Sequence, residues 1–153
     1  MNVGIVIYSQ TGHTRSAAEG LEKALTAANH TAAILDVETA GEAAPPQPPA
    51  VKELPSLAGY DALVFGSPVH AFSLAPAMIA AMRQIASLSG KRVSVFVTQH
   101  FPFPWMGGNR AVSQLKAMCE AKGAVVAKTS IINWSSRKRD HQLAALYDSL
   151  AGL

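Results

Sequence analysis

The sequence predicts a three-layer α/β domain built on a five-stranded parallel sheet. Short β-branched apolar runs alternate with longer stretches of helical spacing. Those runs are nearly continuous in apolar character, as strands buried on both faces of a parallel sheet are. Polar, glycine- or proline-bearing stretches follow the first, third and fourth runs, where such a fold carries its ligand loops.

The elements follow in order. Val3–Tyr8 is the first strand. His13–Ala28 is a helix with Ala17, Leu21, Ala24, Leu25 and Ala28 on one face, although Gly20 interrupts its interior. Thr31–Val37 is the second strand. The next stretch, Thr39–Asp61, holds five of the nine prolines, at positions 45, 46, 48, 49 and 55. A full helix cannot run through it, so the expected connection is an extended crossover with at most one helical turn near Val51–Leu54. The remaining strands are Ala62–Gly66, Val93–Thr98 and Val125–Ile132. The remaining helices are Pro76–Leu88, Asn109–Lys122 and Asp140–Leu150. There are no internal repeats.

Composition narrows the class. The 153 residues suit one domain, 1–153; 49% are hydrophobic and 15% charged. No apolar run approaches the ~18 residues of a membrane span. The chain enters its first strand without a basic leader, so a cytoplasmic protein is expected. The single Cys119 excludes an intramolecular disulfide and is expected to be a buried small hydrophobe. The net charge is +3, with its densest cluster at Arg137–Asp140, "RKRD". That cluster is either a solvated helix start or a site for an acidic partner or phosphorylated ligand. No nucleic-acid module is present.

The first loop is "SQTGHT", Ser9–Thr14. Gly12 permits a tight turn, and the following helix N-terminus offers free N–H groups and a favourable dipole to an anion. Ser9, Thr11 and Thr14 add hydroxyl donors, which makes a phosphate site from neutral groups, without lysine. A helix cap alone would need only one hydroxyl. The pattern is not a Walker A loop. In the second loop, Ser67–Ser73, Pro68 adds stiffness, and Val69, His70, Ala71 and Phe72 are placed to flank a planar ligand. Ordinary core packing is the competing role for Phe72. The third loop, "QHFPFPWMGGN", offers aromatic faces and a glycine pair for close backbone approach. It also suits a cap over the sheet or a contact with a second copy, with Trp105 as the contact residue.

Ser9-Gln10-Thr11-Gly12-His13-Thr14 after a first strand resembles the FMN phosphate loop of flavodoxins, S/T-x-T-G-x-T. "GSPVHAFSLAPAM" and "TQHFPFPWMGGNRAV" are similar to the second and third flavin loops of flavodoxin-like oxidoreductases. The resemblance covers essentially the whole chain. It implies sheet order 2-1-3-4-5 and bound FMN. It implies cofactor contacts from Ser9, Gln10, Thr11, Gly12, His13 and Thr14; from Ser67, Pro68, Val69, His70 and Phe72; and from Gln99, His100, Phe101, Gly107 and Gly108.

His13, His70 and His100 fall one in each loop. No carboxylate or cysteine accompanies them, so no metal is expected. His70 and His100 are candidates to donate to the ring or relay a proton. Flavodoxin-type one-electron carriers are acidic and favour a glycine in the second loop, where a carbonyl turns to positive φ. "PVHAFS" has no glycine, and φ > 0 costs about 1 kcal/mol or more at other residues. Both departures favour two-electron chemistry, for which the resemblance to flavodoxin-like reductases implies NAD(P)H as donor and a quinone or other small acceptor; the sequence carries no nicotinamide motif of its own. The alternatives are a one-electron carrier and a flavodoxin-like module with an empty or altered site. A small-molecule or protein redox partner is expected, and a homodimer is compatible with the third loop. A receiver domain would need acidic residues where Tyr8-Ser9 and Gly66-Ser67 stand. A hydrolase would need a G-x-S-x-G elbow, which is missing.

Overall fold

The computed structural model describes residues 1–40 and 49–152. Strands β1 (Asn2–Ile7), β2 (Thr31–Asp36), β3 (Ala62–His70), β5 (Arg92–Gln99) and β6 (Val125–Asn133) form a parallel sheet in the order β2-β1-β3-β5-β6. This is the order 2-1-3-4-5 of the long strands. The count shifts because a two-residue strand, β4 (Ser73–Leu74), folds back antiparallel on β3.

The helices are α1 (His13–Ala27), α2 (Pro76–Gln84), α3 (Gly108–Ala121) and α4 (Arg139–Ala151). They sit on both faces of the sheet. Val3, Ile5, Ile7, Val64 and Phe96 pack against Ala17, Leu21, Leu25, Leu146 and Leu150 of α1 and α4. Val6, Leu63, Phe65, Val95 and Val97 pack against Met78, Met82, Leu115 and Cys119 of α2 and α3. Burial, with Glu120 alongside, pushes the Cys119 thiol up to about 12, so it stays an unreactive apolar group. Gly20 is tolerated in α1 because the Tyr147 hydroxyl of α4 occupies the space where a Cβ would project.

Two expectations need correction. The apolar continuity holds for β1, β3 and β5, but β2 and β6 are edge strands with largely exposed or half-buried residues; Val125 is 76% exposed. The helix expected to reach Leu88 stops at Gln84, where Ile85 turns extended. Ile85 and Leu88 keep helical spacing and remain buried, but they fill the core from an extended segment tied by the Leu88 N–H to the Lys122 carbonyl at 2.7 Å. No helical turn forms at Val51–Leu54; Val51 instead bridges Thr39 antiparallel.

Pro45, Pro46 and Pro48 of the crossover lie outside the described residues. Its later part supplies Val51, Leu54 and Leu57 to the core on the α2/α3 face. The Gln84 side chain fastens it, accepting from the Leu54 N–H at 3.0 Å and donating to the Lys52 carbonyl at 3.2 Å.

Candidate functional site

The loops after β1, β3 and β5 meet at the carboxyl edge of the sheet. They form a cleft of about 250 Å³ lined by Gln10, Thr11, His13, Pro68, Val69, His70, Thr98, Gln99 and His100. A larger cavity of about 580 Å³ lies at the opposite end, between the crossover and the α2–β5 connection. Its Gln84 and Lys91 side chains are committed to backbone carbonyls, and it contains none of the loop residues.

Gly12 opens α1 in the left-handed region at φ 90°, which bends the chain from β1 into the helix. Among the described residues, the N–H groups of Thr11, Gly12, His13 and Thr14 meet no protein acceptor. They stand at the positive end of the α1 dipole. The three hydroxyls divide their work. Ser9 Oγ accepts the Arg15 N–H at 3.2 Å, so it caps the first turn while its own proton stays free. Thr14 is buried and hydrogen-bonded to Thr98 Oγ1 at 2.8 Å, tying α1 to β5. Thr11 is exposed in the cleft. Arg15 turns away to Asp36 and Glu19.

The second loop is a hairpin rather than an irregular loop. β3 runs on through Ser67–His70, paired as Val69 with Leu74 and His70 with Ser73. The two-residue turn places Ala71 at φ 47° and Phe72 at φ 61°, the signs a type I′ hairpin requires. The absence of glycine therefore does not keep this loop out of positive φ; the fold holds two non-glycine residues there. Ser67 is fully buried, its hydroxyl bonded to the Pro68 carbonyl at 3.0 Å, so it does not face the cleft. Phe72 is not core: it is 54% exposed and stacks on Phe101, with centroids 5.7 Å apart.

In the third loop only Gln99 and His100 reach the cleft wall. Gln99 is buried, and its amide donates to the Phe103 carbonyl and to Asn133 Oδ1, so it anchors the loop from inside. Phe101 caps Phe72, and Phe103 stacks on Trp105 at 5.7 Å, all exposed. Gly107 and Gly108 start α3 and do not line the cleft.

Sequence reasoning missed a fourth segment, the turn after β6. The Trp134 N–H donates to the Gln99 carbonyl at 2.7 Å and the Ser135 N–H to the His100 carbonyl at 3.2 Å. The Trp134 ring stacks on His13 at 4.3 Å. The only signal in the sequence was the "RKRD" cluster next to it. Tyr8 also joins, edge-on to His70 at 6.2 Å. Among the described residues, no group of three His, Cys, Asp or Glu side chains is arranged to hold a metal.

Burial, reinforced by nearby His100 and Arg139, holds His13 below the ordinary histidine value, and burial alone does the same for His70. A histidine lowered in the folded state binds fewer protons than in the unfolded chain. Stability is therefore present above the usual value of 6.5 and lost as pH falls below it. The urea midpoint of the ligand-free protein is expected to drop between about pH 7.5 and about 5.5, and His70→Gln to flatten that drop. A parallel drop in the variant would remove His70 as its source.

A parallel sheet with helices on both faces, with a cleft built by the loops after β1, β3 and β5, defines a flavodoxin-like α/β protein. The chain belongs to the NADPH-dependent FMN reductase family, whose model matches residues 1–138. Among solved structures it is similar to oxidised flavodoxin 2 from Bacillus cereus, with 18% identity and a TM-score of 0.74 over 99% of each chain. It is also similar to a flavoprotein in complex with FMN from Lactobacillus acidophilus NCFM, with 17% identity and a TM-score of 0.67 over 92% of this chain and 97% of that one. The flavodoxin, WrbA-like protein from Agrobacterium tumefaciens shares 16% identity and a TM-score of 0.72 over 98% and 94% of the two chains. At these identities the likeness is one of fold. Among curated proteins, none matches this sequence.

Proposed function

We propose that this FMN flavoprotein is an oxidoreductase that accepts a hydride from NAD(P)H and delivers two electrons to a quinone or similar small planar acceptor. The observation that carries this reading is the convergence of the β1, β3 and β5 loops on one cleft whose phosphate end is a set of unpartnered N–H groups. The family match supports the nicotinamide donor.

The donor set suits FMN. The N–H groups of residues 11 to 14 and the Thr11 hydroxyl present neutral donors to a phosphate monoester at a helix N-terminus. Pro68, Val69 and His70 wall one side of the cleft, and Gln99 and His100 another. When bound, FMN supplies a ring that takes up and releases electrons; the chain positions it and limits water access. His70, held neutral by burial, can donate a ring N–H into the cleft without carrying charge. An acceptor reaches the cleft past the exposed aromatic rim of Phe72 and Phe101.

Adding NADPH without oxygen to the FMN-loaded protein should bleach the flavin absorption, and a quinone should restore it. Bleaching by a chemical reductant but by neither NADPH nor NADH would overturn the donor assignment. A second reading, a one-electron carrier, is favoured by one observation: the turn Ala71–Phe72 already holds positive φ, so the cost expected to oppose that chemistry is built into the fold. A reductive titration that accumulates a stable one-electron-reduced flavin would select it.

Thr11→Ala should weaken FMN binding about three- to tenfold with little change in stability, because this exposed hydroxyl has no structural partner. Thr14→Ala should instead cost about 1–3 kcal/mol of stability by leaving Thr98 buried and unpaired. Unchanged FMN affinity in Thr11→Ala would place the phosphate elsewhere.

A further inference from the structure

We propose that Arg139, positioned by Trp134 alongside His13, is the cation at the phosphate end of the cleft and makes the site select a phosphomonoester over its dephosphorylated form. The inference rests on the FMN reading above. It assigns a role to the basic cluster that the flavin loops leave unexplained.

The phosphate loop has a basic residue of its own, Arg15, but that side chain is committed to Asp36 on β2 and to Glu19. Charge arrives instead from the far end of the chain. His13, the first residue of α1, lays its ring against Trp134 with centroids 4.3 Å apart and planes 11° apart. The Arg139 guanidinium carbon lies 5.3 Å from the same indole centroid, and Nη1 donates to the Trp134 carbonyl at 3.2 Å. One indole thus carries both the imidazole that opens α1 and a guanidinium. Cation–π contact and the hydrogen bond restrict the arginine's freedom before a ligand arrives.

The electrostatics around Arg139 favour an incoming anion. Arg137, Lys138 and Arg139 crowd the N-terminus of α4, the end whose dipole is already positive. The nearby counter-charge is Asp140, 91% exposed and 3.5 Å from Arg139 Nε. Burial, then repulsion from His100 and from Arg139, lowers the His13 pKa and so favours the neutral imidazole, which can donate a ring N–H. A phosphate dianion would relieve the crowding at α4 and gain a charge-assisted bond. A flavin without its phosphate would gain neither.

The test compares FMN, riboflavin and inorganic phosphate by calorimetric titration of the full chain. The parent should bind FMN far more tightly than riboflavin. Arg139→Ala should weaken FMN and phosphate roughly tenfold or more and leave riboflavin unchanged. Arg139→Lys should recover part of the loss. Trp134→Phe, which keeps a ring for His13 and Arg139, should retain most of the FMN preference, whereas Trp134→Ala should lose it. Melting curves of each variant separate lost binding from lost folding. An unchanged ratio of FMN to riboflavin affinity in a folded Arg139→Ala protein overturns the inference and leaves the FMN reading intact. A parent that takes up neither flavin overturns that reading and this one with it.

Discussion

Gly107→Ala is expected to destabilise the protein by about 2–4 kcal/mol, one of the largest single-site effects in the molecule. Two costs add at this position. Gly107 sits at φ 107°, where a side chain is strained. A Cβ there would lie 2.6 Å from Phe72 Cα and 2.9 Å from Val69 Cγ1, so the tip of the β3–β4 hairpin must move. The Phe72 contact is backbone and cannot swing aside. Thermal unfolding should fall by roughly 6–12 °C for a chain of this size. Because Val69 and His70 wall the cleft, FMN affinity should fall with it. A variant with parental melting temperature would mean that the third loop and the hairpin are less tightly apposed than this packing shows.

The second large effect has both signs at one residue. Ala71 is exposed and holds φ 47° in a two-residue hairpin turn. Ala71→Asn should stabilise by about 1 kcal/mol, because asparagine tolerates the left-handed region and leads type I′ turns. Ala71→Val should destabilise by about 2 kcal/mol, because a β-branched side chain is least compatible with positive φ. Neither substitution buries or exposes apolar area, so urea unfolding at constant slope isolates the backbone term. Equal midpoints for the two variants would show that the turn does not carry this strain.

The same turn shows where sequence reasoning stopped. "PVHAFS" carries no glycine, asparagine or aspartate, the residues that announce positive φ, so nothing in it points to such a turn. The pairing of Val69 with Leu74 and His70 with Ser73 leaves two residues to reverse the chain, and strand twist then imposes the conformation. The hydroxyls of the first loop are a similar case. The sequence presents Ser9, Thr11 and Thr14 as equivalent donors. Only the approach of β5 spends Thr14 on Thr98, and only the helix turn spends Ser9 on Arg15.

Much was legible from residues alone. The continuous apolar runs of β1, β3 and β5 mark strands covered on both sides, because burial acts on each side chain wherever its partner comes from. The spacing of Ala17, Leu21 and Leu25 marks the inner face of α1 for the same reason, and the meeting of three loops at one cleft follows from the parallel order of the sheet. Tertiary structure decided what depends on a particular partner. It set which strands became edges, where α2 stopped, which hydroxyl stayed free, and that Trp134, with Arg139 over its ring, would meet His13 across more than a hundred residues of chain. Periodicity records how deeply a side chain is buried. Which neighbour it meets is set by distances that exist only once the sheet has closed its order.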